Sequence, residues 1–129
     1  MSYGQQLQME QREKQRLLMY DRLVNDANRM SEKLPRIDVD LTVARSTMTI
    51  LDNLGALAAE LPRDLSATTV GPLGRSSVAD TRAVILATVD GAKSALLVRI
   101  NRLVSDRAGA VTALAHLRQV LASEYADLG

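Results

Sequence analysis

The single histidine of this 129-residue chain, His116, is the first place to look for chemistry, because imidazole is the side chain best suited to moving protons near neutral pH. Its neighbours one helical turn away, Thr112, Ala113, Gln119 and Val120, include no carboxylate that would orient or activate it. An ordinary helix residue is the plainer reading. Gly71 and Gly74 stand three apart in the stretch "GPLGRSS", but no strand precedes them and no lysine follows, as a phosphate-cradling loop requires. No paired-histidine motif or serine elbow occurs. With no Cys, disulfides, thiolate metal sites and cysteine nucleophiles are excluded. The sequence therefore names no catalytic residue, metal ligand or cofactor site, and a non-enzymatic protein is expected.

Arg99, Arg102 and Arg107 are placed to touch phosphates, yet acids are interspersed among them and stacking aromatics are missing, so a solvated face fits better than a nucleic-acid groove. Sixteen basic and fifteen acidic residues leave a net charge of +1, too little for a global field that draws in nucleic acid or a membrane surface. The longest apolar run, residues 83–100, is interrupted by Asp90 and Lys93, which argues against a membrane span. The first sixteen residues lack an apolar signal core, so cytoplasmic synthesis is expected. Arginine outnumbers lysine thirteen to three, a usage typical of GC-rich bacterial or phage genomes.

What remains is architecture. There is no Phe or Trp, and the only aromatics are Tyr3, Tyr20 and Tyr125. A chain without bulky fillers suits thin seams of Leu, Val, Ile and Ala between helices better than a thick globular core. Residues 1–16 form a polar, Gln-rich arm, either a solvated helix or a segment that docks on a partner. Tyr20, Leu23, Ala27, Met30 and Leu34 recur at helical spacing and predict a helix over 17–34, closed by Pro35.

A second helix is expected over 38–61, opened by Asp38 or Asp40 as cap. It carries one stripe of Leu41, Ala44, Met48, Leu51, Gly55 and Ala58 and another of Val43, Ile50, Leu54, Leu57 and Leu61. Apolar around most of its circumference, it reads as the buried helix of a bundle. Residues 62–76 hold two prolines and two glycines and read as a crossover loop, after which Ser77 and Asp80 fit a helix-start signal.

Residues 77–126 are the most informative. Leu86, Val89, Lys93, Leu96, Ile100, Leu103, Arg107, Ala110, Leu114, Leu117 and Leu121 follow one heptad seam of alternating three and four steps. Eight of these eleven are Leu, Ile or Val, against five among the other twenty-five residues between 86 and 121, so the seam is not an accident of composition. Leu97, Val104 and Val111 widen it on one side. Lys93 and Arg107 sit on the seam two heptads apart, where charges fix register or oligomer state at some cost in stability; the alternative is that their stems snorkel at a bundle edge. Asp90 and Asp106 are the nearby acids that could pair with them.

One helix over this stretch would be roughly 74 Å long, whereas a compact domain of this size has a radius of gyration near ~14 Å. Either the chain turns back near Gly109 or it is extended and needs neighbours. The reading is a single all-α domain: an elongated helical bundle or long helical hairpin of coiled-coil character, with three to four helices. Its expected role is structural. The heptad seam would join the chain to copies of itself or to other helical proteins within a larger complex, such as a phage virion or a bacterial secretion machine. The alternative is a small helical chaperone or adaptor that holds an amphipathic segment of a partner.

Overall fold

The computed structural model describes residues 2–65 and 72–129, with side chains for 2–61 and 80–129. These residues form two helices, α1 (Tyr3–Leu65) and α2 (Pro72–Glu124), where three or four were expected. Ser2 starts α1 with a reciprocal cap: its hydroxyl accepts from the Gln5 backbone amide at 3.3 Å, while its own amide donates to the Gln5 side-chain oxygen at 3.1 Å. That pairing satisfies orphan donors of the first turn. The segment expected as a polar arm is thus helical from Tyr3 onward, although residues 2–19 are all exposed.

The helix also runs straight past Pro35. Proline inside a helix removes one hydrogen bond and crowds the preceding turn, at a cost of about 3 kcal/mol. What outweighs this is visible in the covered positions of α1. Tyr20, Leu23, Ala27, Met30, Leu34, Ile37, Leu41, Ala44, Met48, Leu51, Gly55 and Ala58 alternate steps of three and four without a slip, and every one is buried or half-buried. Leu34, Ile37 and Leu41 carry that register across the proline, whose ring is exposed on the outer side. Asp38 and Asp40, expected as caps, consequently lie inside the helix.

By contact, the chain divides into two compact units: residues 1–38 with 105–129, and residues 39–104. In the first unit α1 and α2 pack antiparallel, since Arg16 meets Asp127 and Asp38 meets Arg107. In the second they do so again, with Asp52 against Lys93 and Gly55 against Val89. The best-buried side chains are Ala27, Ile37, Leu41, Ala44, Ala58, Val89, Ala110 and Leu114. Four of the eight are alanine, which lets the helix axes approach closely. At Gly55 the approach is tight enough that a Cβ would sit 3.4 Å from Val89 Cγ1.

α2 begins at Pro72, a favoured first helical residue, so the start expected at Ser77 falls inside the helix. Of the expected crossover, 62–76, residues 62–65 and 72–76 are helical and 66–71 lie outside the described residues, as do the side chains of 62–79. The turn considered near Gly109 does not occur: α2 is one helix through Gly91 and Gly109 to Glu124. The buried-helix expectation for 38–61 is also corrected. Its first stripe is covered, while of the second Val43, Ile50, Leu54 and Leu57 are exposed and Leu61 is half-buried.

A Cβ at Gly109 would meet nothing within 4 Å. Gly109→Ala should therefore raise stability by roughly 0.5–1 kcal/mol through helix propensity alone. Chemical denaturation checks this, and a loss of stability would mean that the position is a turn after all.

Candidate functional site

Charge-bearing side chains brace the seam in both units. In the second unit Lys93, half-buried on the seam, reaches Asp52 of α1 at 2.5 Å. Its hydrogen bond to Asp52 holds the ammonium above its ordinary range, with the charge of Asp52 and, more weakly, that of Asp90 adding to the effect. In the first unit Arg107 Nε donates to Asp38 Oδ1 at 2.6 Å. Both seam charges thus reach across to α1, to Asp52 and Asp38, and not to Asp90 and Asp106, the carboxylates nearest in sequence. Arg107 is the only one of the eleven seam positions that is exposed, its head drawn outward to Asp38.

A third pair closes the end of the first unit. Arg16 donates through both terminal nitrogens to the two Asp127 oxygens, at 2.6 and 2.7 Å. It also donates to the Glu124 carbonyl at 2.7 Å, capping the last turn of α2 where the helix dipole favours a cation. Its guanidinium lies 5.4 Å from the centre of the Tyr125 ring, which in turn tilts against Tyr20 with centroids 6.0 Å apart. Hydrogen bonding from Arg16 holds the Asp127 carboxyl below its usual range and Asp127 holds Arg16 above its own. Nothing in the seam pattern pointed to this clasp.

The remaining seam residues divide as follows. Val89, Ala110 and Leu114 are buried, and Leu86, Leu96, Ile100, Leu103, Leu117 and Leu121 are half-buried. The seam therefore faces α1 of the same chain. His116 is exposed. Among the described residues no cluster of His, Asp or Glu is arranged to hold a metal ion, and no helix is long and apolar enough to cross a membrane.

The surface most suited to recognition lies outside the seam. Counting by sevens along α1, one column reads Gln15, Arg22, Arg29, Arg36, Val43, Ile50, Leu57. Seven residues make nearly two helical turns, so these positions share a face. In the first unit that face is arginine; in the second it is aliphatic and open, with Val43 59%, Ile50 64% and Leu57 65% exposed and Leu54 beside them. From residue 41 to 59 the only charges on α1 are Arg45 and Asp52, both on the opposite flank. Next to this column, Asp40, Val43, Ala44, Thr47, Leu96 and Arg99 line an open depression of about 250 Å³. A separate stripe on α2 exposes Leu97 and Val104 in the second unit, and Val111 in the first.

No protein-family model, curated protein or solved structure matches this chain. Function must therefore be argued from the surface itself.

Two outcomes check this description. Leu114→Ala, on the buried seam, should cost about 2–4 kcal/mol in chemical denaturation, while Val104→Ala, outside it, should cost less than about 1 kcal/mol; equal losses would contradict the placement of the seam. For the clasp, a carboxyl held low in the folded chain contributes stability that is complete above the ordinary carboxylate range and disappears as pH falls through the lowered value. Melting curves of the wild type and Asp127→Asn should accordingly differ at neutral pH and converge in acid. A difference that persists unchanged into acid would show that the Asp127 charge is not what matters.

Proposed function

We propose that this protein is a non-enzymatic structural or assembly subunit that associates with copies of itself through helical faces, as part of a larger complex. The observation that carries this reading is the aliphatic column Val43, Ile50 and Leu57, with Leu54 beside it, which stays exposed after the seam has been covered. Contiguous apolar surface of this kind is uncommon on a soluble monomer and is typical of contact sites, whose centres are depleted in charge. Two copies joined there would supply four helices, and the outer column would pack in the coiled-coil manner that heptad spacing favours.

The column's boundary supports the same reading. Arg22, Arg29 and Arg36 occupy its earlier positions, so the change from charged to aliphatic follows the face and not the general composition of the helix. A chaperone or adaptor that binds a partner's amphipathic segment would use a groove, whereas this column is a row of aliphatic side chains exposed along one helix. Self-association is the better fit.

Sedimentation equilibrium over a range of concentrations tests the proposal. The expected mass is a concentration-dependent multiple of 14.0 kDa. A chain that stays at the monomer mass throughout would overturn the reading.

A further inference from the structure

Past the end of α2 the chain makes one more tight turn, in which the Leu128 amide donates to the Tyr125 carbonyl at 3.0 Å. Residues 125–129 then lie against α1, where a Cβ at Gly129 would stand 3.9 Å from the Tyr20 hydroxyl. Tyr125 and Leu128 are half-buried, whereas Ala126, Asp127 and Gly129 are exposed, so little apolar surface holds this segment down. Among the described residues, its polar contacts with α1 all run through one side chain. Arg16 takes both Asp127 oxygens and lies against the Tyr125 ring. Arg16 is also where the aliphatic count along α1 stops, four residues before Tyr20 on the seam register.

We propose that residues 125–129 form a strap that opens from α1 while the seam stays closed, with Arg16 as its latch. A segment with few buried apolar contacts and exposed hydrogen bonds opens locally at a fraction of the cost of global unfolding. The seam does not share that weakness: Ala110 and Leu114 are buried within α2, upstream of the strap. The latch itself is a solvent-exposed ion pair, the kind that salt screens. Because the bidentate pair and the ring contact meet at one guanidinium, they are lost together when it lets go. The strap therefore has a closed and an open position, not a graded series. Opening uncovers Tyr20 and frees Arg16, and it leaves Leu117 and Leu121 on α2 in register with α1.

Amide hydrogen exchange of the full chain, followed by NMR, tests the strap. In the wild type, low concentrations of urea should leave exchange at Leu128 nearly unchanged while accelerating it at Leu114, because local opening exposes far less surface than unfolding does. Raising sodium chloride should speed exchange at Leu128 in the wild type and have no comparable effect in Arg16→Ala. Arg16→Ala should itself accelerate Leu128 by about five- to tenfold. Arg16→Lys should fall between the two, since an ammonium keeps the charge without the bidentate fork. Urea dependence at Leu128 that matches Leu114 would show that the segment opens only with the whole helix pair, and overturns the strap. A Leu128 rate indifferent to both Arg16→Ala and salt overturns the latch. If Arg16→Ala fails to fold, the urea and salt dependences of the wild type decide on their own.

Discussion

Burial of heptad-spaced aliphatic positions between α1 and α2 is the interaction on which the rest depends. Isolated helices owe little of their stability to propensity and most of it to an apolar face covered by packing. Here that face consists of small and medium side chains, with Ala27, Ala44, Ala58 and Ala110 among the best-buried residues. A thin seam gains little area per residue, so it must be long, and one unbroken register over α1 and α2 provides that length. The same requirement explains how α1 tolerates Pro35. Ending the helix there would forfeit the aligned contacts of Leu34, Ile37 and Leu41, which together outweigh one lost hydrogen bond.

An aliphatic seam alone is indifferent to sliding by one heptad, because Leu can take the place of Val or Ile at modest cost. Polar contacts remove that freedom. Lys93 with Asp52 fixes the second unit, while Arg107 with Asp38 and the Arg16 clasp fix the first. Each pair is solvent-exposed and contributes little to stability. Their value lies in specificity: a shift of seven residues would leave Lys93 and Arg107 on the seam without their carboxylates.

Much of this was legible in the amino-acid order. The α2 seam was complete, from Leu86 to Leu121, and so were both halves of the α1 seam. The halves were not joined because Pro35 is a strong local stop signal, and only Ile37, which continues the count on either side, reveals that the register survives it. The cap formed by Ser2 and Gln5 follows a short motif that the glutamine-rich composition obscured. The Arg16 clasp was not legible at all, since its partner Asp127 lies 111 positions away and a lone charge pair leaves no periodic trace. Ion pairing at Lys93 and Arg107 was foreseen in kind but not in partner: sequence proximity suggested Asp90 and Asp106, whereas helix-to-helix contact selects residues distant along the chain. The candidate recognition face was visible within the second stripe of residues 43–61, and its exposure became clear only once two helices, among the described residues, were found to share the burial.

That exposed column acquires meaning only if the seam has the register described, because the register decides which residues remain outside. A chain without cysteine of its own permits a direct test. Introduced together, Gly55→Cys and Val89→Cys place two thiols where a Cβ at 55 lies in contact with the Val89 side chain, within reach of a disulfide. Mild oxidation of dilute protein should convert this variant rapidly to an intrachain cross-linked form, while Gly55→Cys with Leu96→Cys, one heptad away, should remain reduced. Comparable cross-linking of the two pairs would contradict a single register and, with it, the account of the surface that the register leaves free.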